Sequence, residues 1–376
     1  MKAARREEFP LAPDIVHLNH ASYGLVSRKV LNAAEKLRYN IESDPTQHLG
    51  TDLMDRLRTR TTQAAETLEL AADQLTLCSN ATSAAAAIIT SLPLTAADTV
   101  VVLDTEYSAI HRAWEVACSR SGARFLPVPV PLPFDDPDLL RARLDACVPG
   151  SVSYLQTSLI SSSAAIRLPV RDLSAWAQER SGQLIVDAAH GPGHTDLTAD
   201  GWGASAVFGT LHKWFPAARS VGFLWLAPQL VDVVRPAEVS LTWDSPDLVE
   251  RFSWPGTFDP APRLSLGAAL QQWRRWYAAG YLTECEKLAD YASEVLPNRR
   301  VRPTAGREYR PPRMRSFILD NVTVTEVKSV LTRSGIRAWV GPGPNGECLL
   351  RIATHIYNDT TDIDLLADTI QEVLPR

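Results

Sequence analysis

Short apolar runs alternate with amphipathic stretches along the chain from Leu75 to about Leu226. This alternation is typical of an α/β domain in which helices cover a mostly parallel sheet. It predicts strands over Val100 to Leu103, Arg124 to Val130, Ser153 to Leu155, Gln183 to Val186, Ala204 to Phe208 and Gly222 to Leu226. The helices predicted between them include Ile110 to Ser121, Pro137 to Ala146 and Val170 to Ser181.

A second, smaller α+β unit is predicted beyond this stretch. One long helical pattern runs from about Arg263 to Leu296, and a Pro/Arg-rich loop, Arg302 to Arg313, follows it. The remaining predicted elements are the strand Ser316 to Leu319, the helix Val324 to Ser334, the strand Glu347 to Ile352 and the helix Asp362 to Val373. The domain boundary is therefore expected between residues 235 and 260.

Composition excludes several classes of protein. The 376 residues suffice for two domains, and the net charge of -5 argues against a general affinity for nucleic acid or anionic membranes. No apolar run is long enough to span a bilayer, and the first residues lack the apolar core of a signal peptide, so a cytoplasmic location is predicted. Five scattered cysteines without CxxC spacing indicate neither a disulfide framework nor a metal site.

Lys213 stands in unusual surroundings for a lysine. It follows a predicted strand and is flanked by Thr210, Leu211, Trp214 and Phe215. Burial lowers the pKa of a lysine and makes its amine a better nucleophile toward a carbonyl. Taken alone, Lys213 would more often be a lysine that extends from a strand end to solvent.

Asp187 ends another predicted strand upstream, and together with Lys213 it indicates a different role for the lysine. Pyridoxal phosphate (PLP) needs an amine to bind its aldehyde and a carboxylate to keep its ring nitrogen protonated. Asp187 and Lys213 would supply these two groups. The pair therefore predicts a PLP site.

Three further segments could complete this site. Ser79 to Ser83 precede an alanine-rich helix whose N-terminus could bind the phosphate, although a plain N-cap is the alternative. Tyr107 follows a strand and could stack on the ring, or simply pack. Arg351 lies in an otherwise apolar strand, where its guanidinium needs an anion: a substrate carboxylate or an internal salt-bridge partner.

These residues resemble those of the class V aminotransferase superfamily, the fold-type I PLP-dependent enzymes that include cysteine desulfurases and isopenicillin N epimerase. The similarity covers almost the whole chain, and the order of its motifs is more specific than any one of them. The motifs are Leu18-Asn19-His20-Ala21-Ser22-Tyr23-Gly24, Asn80-Ala81-Thr82, Asp187-Ala188-Ala189-His190, Thr210-Leu211-His212-Lys213, Pro255-Gly256-Thr257, Leu350-Arg351-Ile352 and Ile356-Tyr357-Asn358.

The resemblance implies a role for each matched residue. Lys213 would bind the cofactor and shuttle protons, Asp187 would pair with the ring nitrogen, and Arg351 would bind the substrate α-carboxylate with Asn19 nearby. The other implied cofactor contacts are the Ala81 backbone, Thr82, Tyr107, Ser162, His190 at the ring oxygen, Thr210, His212 and Thr257. Thr257 would reach the phosphate of a neighbouring subunit, so a homodimer with shared active sites is implied.

The resemblance also implies the architecture: a large domain, residues 17–257, with a mostly parallel seven-stranded-type sheet, and a small domain formed by residues 1–16 and 258–376. The chain departs from relatives at some positions. The loop from Gly335 to Gly343 lacks the nucleophilic cysteine of desulfurases, and Phe258 replaces a common arginine. Ser158 to Ala165 lack a histidine and a glycine of the usual pattern.

The predicted activity is C-S lysis, the β-elimination of a cysteine S-conjugate, in secondary or thiol metabolism such as lincosamide antibiotic biosynthesis. The resemblance supports this choice because the epimerase-like branch contains tailoring enzymes of such pathways. The alternatives are epimerisation, transamination, and decarboxylation or oxidative deamination. Epimerisation needs a second base, for which Tyr23 and His20 are the candidates. A catalytically inert PLP-binding protein is a further alternative.

Overall fold

The computed structural model describes residues 5–197, 199–297 and 300–374. The helices are α1 (His20–Tyr23), α2 (Arg28–Ser43), α3 (Leu53–Leu68), α4 (Ala81–Ser91), α5 (Ser108–Ser121), α6 (Pro137–Cys147), α7 (Val170–Gln178), α8 (Ala199–Trp202), α9 (Pro228–Val231), α10 (Leu248–Ser253), α11 (Ala261–Leu264), α12 (Leu266–Ala278), α13 (Tyr281–Val295), α14 (Val324–Arg333) and α15 (Thr360–Gln371). The strands are β1 (Val16–His17), β2 (Leu75–Cys78), β3 (Thr99–Leu103), β4 (Arg124–Val128), β5 (Tyr154–Ser158), β6 (Gln183–Asp187), β7 (Ala206–Thr210), β8 (Gly222–Leu226), β9 (Val301–Pro303), β10 (Met314–Leu319), β11 (Ile336–Arg337), β12 (Trp339–Pro342) and β13 (Cys348–Ala353).

The alternating pattern forms the predicted α/β sheet. Its seven described strands lie in the order β2-β8-β7-β6-β5-β3-β4, and β8 runs in the direction opposite to the other six. Strands β2, β5, β7 and β8 are buried along their whole length. Such burial on both faces is typical of a sheet covered by helices and explains the continuous apolar runs. The predicted strands and helices of this region are confirmed to within a few residues at their ends.

The parallel strands place their carboxyl ends at one edge of the sheet. Asp187 ends β6, Thr210 ends β7, and the chain turns from β3 into the segment before α5 at the same edge. Ligands of open α/β sheets bind outside this edge, where loops and helix N-termini converge. The fold thus brings together the residues that the sequence separates by more than a hundred positions.

A four-stranded antiparallel sheet, in the order β12-β13-β10-β9, forms the second unit. In its register Arg351 of β13 lies opposite Ser316 of β10 and Trp339 of β12. Strand β1 pairs with β11, which attaches the N-terminal segment to this unit. The domain ranges given above stay a prediction. Leu266 and Leu270, which lie beyond residue 257, pack in the same core as the large sheet.

The single long helix predicted from Arg263 to Leu296 is wrong. The structure has three helices there, α11, α12 and α13. Between the last two, Gly280 adopts a left-handed conformation with φ 72°. Because α-helical residues need a negative φ, the chain must turn at Gly280, and the apolar periodicity resumes in a new direction.

None of the helices in the described part of the chain is long and apolar enough to cross a membrane.

Candidate active site

A cavity of about 290 Å³ lies at the carboxyl edge of the large sheet, with β12 and β13 of the small sheet on its other side. Most of the predicted site residues line it: Ala81, Thr82, Tyr107, Ser162, Asp187, His190, Thr210, His212, Lys213 and Arg351. Asn19 and Thr257 do not. The structure therefore gathers ten predicted residues around one space, and their individual roles stay predictions.

Lys213 is held in a tight turn just after β7. His20 Nε2 lies 2.8 Å from the Lys213 carbonyl oxygen. The Lys213 Nζ lies 3.4 Å from His190 Nε2. Burial lowers the pKa of Lys213 to about 8, although the charge of Asp187 opposes this shift. A lysine with such a pKa has a sizeable fraction of neutral, nucleophilic amine near neutral pH.

Asp187 lies at the cavity wall with a carboxylate that lacks a cationic partner. Its Oδ1 accepts a hydrogen bond of 2.7 Å from the Ala189 N–H. No ion pair joins it to an arginine or lysine in the described ranges, and burial raises its pKa to about 6. A protonated ring nitrogen would supply the missing positive charge and lower this pKa.

Glu106 is a second buried carboxyl group near Asp187, and the sequence analysis missed it. Its Oε1 accepts hydrogen bonds from Ser158 Oγ at 2.7 Å and from the Tyr107 N–H at 2.7 Å. Its Oε2 accepts from Gln156 Nε2 at 2.9 Å. Burial, followed by the charge of Asp187, raises the pKa of Glu106 to about 8. In the sequence, only the position of Glu106 directly before the candidate residue Tyr107 could have pointed to it.

The N-terminus of α4 forms one end of the cavity. Asn80 caps this helix: its Oδ1 accepts from the Ser83 N–H at 2.9 Å. The first N–H groups of a helix have no intrahelical acceptor, so those of Ala81 and Thr82 can still bind an anion. Strand β8 packs closely behind, since a Cβ on Gly222 would lie 2.7 Å from Asn80 Cα. Asn80 can therefore cap α4 while the N–H groups of Ala81 and Thr82 bind a phosphate, so the two interpretations of this segment do not exclude each other.

His212 faces the same end of the cavity from the turn after β7. Its Nδ1 lies 2.9 Å from the Val221 carbonyl oxygen, and burial lowers its pKa to about 4. The Val221 backbone N–H, which can only donate, also lies 3.3 Å from His212 Nδ1. These contacts fit a neutral ring with its proton on either nitrogen, and the tautomer with the proton on Nε2 can donate a hydrogen bond to a phosphate.

Arg351 reaches the cavity from β13 and is held by neutral acceptors. Its Nη1 donates to the Ser162 carbonyl oxygen at 2.6 Å, and its Nη2 donates to Asn19 Oδ1 at 2.9 Å and to Ser22 Oγ at 2.7 Å. Its guanidinium carbon lies 5.4 Å from the Trp339 ring centre. No carboxylate among the described residues forms a salt bridge with it, so the structure does not contain the internal ion pair that was the alternative.

Asn19 and Ser162 thus orient Arg351, and Ser162 also lines the cavity. Thr257 lies exposed on the loop after α10, away from the cavity of its own chain. Its reach to a neighbouring subunit stays a prediction. Ala165, where the resemblance led us to expect glycine, adopts φ 49°, a conformation that favours glycine. The backbone of this loop therefore keeps the glycine-type geometry without the glycine.

The two candidate second bases differ in position. His20 is buried outside the cavity lining, with its Nδ1 2.8 Å from Tyr357 Oη and its Nε2 bonded to the Lys213 carbonyl group. Tyr23 lines the cavity, and its side chain is 70% exposed. Tyr107 is 48% exposed at the same opening. Of the two candidates, Tyr23 lines the cavity and His20 does not.

The amine of Lys213, the unpaired carboxylate of Asp187 and the free N–H groups of α4 fit the aldehyde, ring nitrogen and phosphate of PLP. Asp187 and Lys213 would hold the ring, and the α4 N-terminus with Thr210 and His212 would hold the phosphate. Each group of the cofactor meets a complementary group, and Arg351 is left over for a substrate carboxylate.

Comparison with known proteins shows which proteins the chain is similar to. The chain is 28% identical to isopenicillin N epimerase from Amycolatopsis lactamdurans over 99% of its own length and 98% of that protein. It is 25% identical to a probable chloroplastic L-cysteine desulfhydrase from Arabidopsis thaliana, over 69% of this chain and 58% of that protein.

A solved structure has the same fold. It is titled as a C-DES mutant with glycine covalently linked to the PLP cofactor, and it superimposes with a TM-score of 0.80 at 20% identity, covering 97% of this chain and 98% of that one. The predicted fold-type I architecture is confirmed. The family model of the class V aminotransferases matches residues 16–366. The chain therefore belongs to the class V aminotransferase family and is a PLP-dependent enzyme.

Proposed function

We propose that the protein catalyses β-elimination from a cysteine S-conjugate. The observation that carries this proposal is the composition of the cavity. Its described lining offers the amine of Lys213 as a base and Arg351 as a carboxylate site, but no thiol. When bound, PLP withdraws electrons from Cα of the amino acid and weakens the bonds there. The similarity to an L-cysteine desulfhydrase supports a reaction at sulfur.

The residues of the cavity would divide the work. Arg351 binds the α-carboxylate through the N–H groups that its neutral partners leave available. Lys213 removes the proton from Cα and delivers it to the departing sulfur, so that a thiol leaves. Asp187 keeps the proton on the ring nitrogen. Water then converts the released enamine to pyruvate and ammonia, which balances the reaction.

The cysteines argue against a persulfide mechanism. Within the described ranges no cysteine lines the cavity. Cys348, three residues before Arg351, is 4% exposed in β13, and burial raises its thiol pKa to about 11. A thiol in this state is a poor nucleophile because the thiolate is the reactive form.

The opening of the cavity supports a substrate with an apolar or ring-bearing S-substituent. Tyr23, Tyr107, Trp339 and Ile160 line the cavity, and the two tyrosines are exposed. Such aromatic side chains offer flat apolar surface rather than a counter-charge. A role in secondary or thiol metabolism, such as lincosamide antibiotic biosynthesis, is part of the proposal. The full-length similarity to isopenicillin N epimerase supports it.

Epimerisation is the second candidate, and the same similarity favours it. It needs an acid on the face of Cα opposite Lys213. Tyr23 is the candidate for that group, because His20 is hydrogen-bonded outside the cavity. Transamination begins with the same loss of the Cα proton, whereas decarboxylation breaks the bond from Cα to the carboxylate. No observation favours these two reactions or oxidative deamination.

The test uses the purified protein with bound PLP and a panel of cysteine S-conjugates. Release of thiol, pyruvate and ammonia in equal amounts would support elimination. Exchange of the Cα proton with deuterated solvent, together with racemised substrate and no pyruvate, would contradict it and support epimerisation. Tyr23→Phe separates the two further, since elimination should survive this change whereas epimerisation should not.

A homodimer with shared active sites belongs to the same proposal. Thr257 lies exposed and away from the cavity of its own chain. This placement supports a contact with the phosphate of a second subunit. Amino acids are the proposed substrates, and neither nucleic acids nor membranes are proposed as partners.

A further inference from the structure

Trp214, the residue after Lys213, is hydrogen-bonded to the histidine beneath the lysine amine. Its indole N–H donates to His190 Nδ1 at 3.3 Å, and both side chains are buried. Indole nitrogen is only a donor, so Nδ1 must be the acceptor. Burial holds the pKa of His190 well below its ordinary value, so the ring is neutral. Its single proton is therefore on Nε2.

The protonated Nε2 faces the lysine. It lies 3.4 Å from Lys213 Nζ. An N–H donor can bond to this amine only when the nitrogen has a free lone pair, which means when the lysine is uncharged. An ammonium group would instead meet a second donor.

We propose that Trp214 is a positioning residue that fixes the tautomer of His190, so that His190 donates to Lys213 Nζ and favours the neutral amine. The neutral amine is the form that attacks the aldehyde of the cofactor. The inference rests on Lys213 as the lysine of the PLP site. It does not depend on which reaction follows.

Trp214 is itself held in place by a second histidine of fixed tautomer. The ring of His194 stacks on Trp214 with centroids 4.0 Å apart. The Arg313 backbone N–H, which can only donate, bonds to His194 Nε2 at 2.8 Å. His194 therefore carries its proton on Nδ1, which lies 3.0 Å from the His190 carbonyl oxygen. The hydrogen bonds between Arg313 and Lys213 are therefore mutually consistent, because each N–H group meets an acceptor.

The opposite tautomer of His190 would not be compatible with these hydrogen bonds. With the proton on Nδ1, two N–H donors would face each other at 3.3 Å inside the core. Leaving buried donors unsatisfied is costly, whereas the observed arrangement satisfies both. If Trp214 served only to fill space in the core, its indole N–H would not need to face the acceptor nitrogen of His190.

The first measurement is the tautomer in cofactor-free protein labelled with ¹⁵N-histidine. The His190 signal is assigned by its loss in His190→Gln. The expected result is a proton on Nε2 and a bare Nδ1. A proton on Nδ1 would overturn the proposal, and this measurement is independent of catalysis.

The second measurement is the rate at which cofactor-free protein captures PLP, followed by absorbance from about pH 6 to pH 10. Trp214→Phe keeps a ring beside His194 but removes the donor. The loss of one neutral hydrogen bond predicts capture about three- to tenfold slower near neutral pH, with its midpoint moved to higher pH. The other titratable groups that act on Lys213, namely Asp187, Arg351 and His212, are unchanged in this variant.

Trp225→Phe is the matched control. Trp225 is 2% exposed, and its indole N–H has no partner among the described residues. It therefore loses the same volume without losing a hydrogen bond. Equal capture by Trp214→Phe and Trp225→Phe would overturn the proposal, and slower capture by Trp214→Phe alone would support it.

Discussion

Lys213 differs from the exposed lysines of the chain because its surroundings favour the neutral amine. Burial lowers its pKa to about 8, and His190 Nε2 lies 3.4 Å from its Nζ. Asp187 shows the converse effect, since burial raises its pKa to about 6. The two shifts move an amine and a carboxyl group toward the pH at which both can exchange protons, a common property of active sites.

Replacing Lys213 by alanine should abolish turnover while the fold is retained. Both the covalent link to the cofactor and the base at Cα are lost, so a fall of at least about 10³-fold is expected. Steady-state kinetics and circular dichroism check this result. Lys29→Ala, at an exposed lysine that bonds to Gln271 Oε1 at 3.1 Å, is the control. Substantial activity in the Lys213 variant would contradict the assigned role.

Arg351→Lys should weaken substrate binding more than cofactor binding. The planar fork of Arg351 is held by Ser162, Asn19 and Ser22, and a lysine cannot make the same set of bonds. An increase in KM of about 10- to 100-fold is expected, from the loss of a charged hydrogen bond to the α-carboxylate. Arg337→Lys, at an exposed site on β11, is the control. An unchanged KM would show that the substrate carboxylate binds elsewhere.

Glu106 should make the stability of the protein depend on pH. Burial and the charge of Asp187 raise the pKa of its carboxyl group from 4.5 to about 8. Between these values the folded state holds a proton that the unfolded state has lost, so this contribution falls as pH rises. Glu106→Gln lacks the titration. Relative to this variant, the free energy of unfolding of the wild type should decrease from about pH 5 to pH 8, as measured by denaturant titration. Parallel profiles would show that the carboxyl group titrates normally.

Helix α1 and the turn after β7 form one structural element at the site. Gly24 ends α1 with φ 66°, and a Cβ there would lie 2.0 Å from the His212 carbonyl oxygen. His20, at the other end of α1, bonds to the Lys213 carbonyl group. The N-terminal segment thus fixes the backbone that carries Lys213, the proposed cofactor lysine.

Gly24→Ala should therefore damage both stability and cofactor binding. A Cβ at this position must displace the turn that carries Lys213, in addition to the strain of a positive φ. Gly346→Ala is the control, because Gly346 has φ 85° but a Cβ added there would meet no atom of the described residues within 4 Å. The control should lose only about 1–2 kcal/mol, the cost of a left-handed residue. Equal losses of stability and PLP affinity in the two variants would contradict the proposed contact.

For the molecule as a whole, shared active sites make a prediction about mixed dimers. Lys213→Ala inactivates the site of its own subunit, whereas Thr257→Ala should weaken the site of the partner. A hybrid of the two variants then contains one site with both residues intact. Co-expression should restore activity above that of either variant alone. Hybrids with no more activity than the Thr257→Ala dimer would contradict the prediction. Either Thr257 would then not contact the phosphate, or each active site would be formed by a single subunit.

Much of the fold and of the site could be predicted from residue patterns alone. The strands of the large sheet follow from short apolar runs, because burial on both faces acts on each strand locally. Lys213 and Asp187 could be recognised because few side chains supply an amine and a carboxylate at strand ends. The helix from Arg263 to Leu296 was predicted wrongly, since apolar periodicity continues across the turn at Gly280.

The contacts of each site residue depend on how the whole chain folds. The pairing of Ser158 with Asp187 across β5 and β6 brings Glu106 beneath the site, although Glu106 and Asp187 are far apart in the chain. The hydrogen-bond partners of Arg351 come from two separate segments, one with Asn19 and Ser22 and one with Ser162, so no local pattern could show whether it meets a carboxylate. The cofactor and the fold class could be read from the chain alone, because they depend on residue chemistry and periodicity. The protonation states and hydrogen-bond partners arise from burial and from contacts between distant segments, which only the folded chain defines.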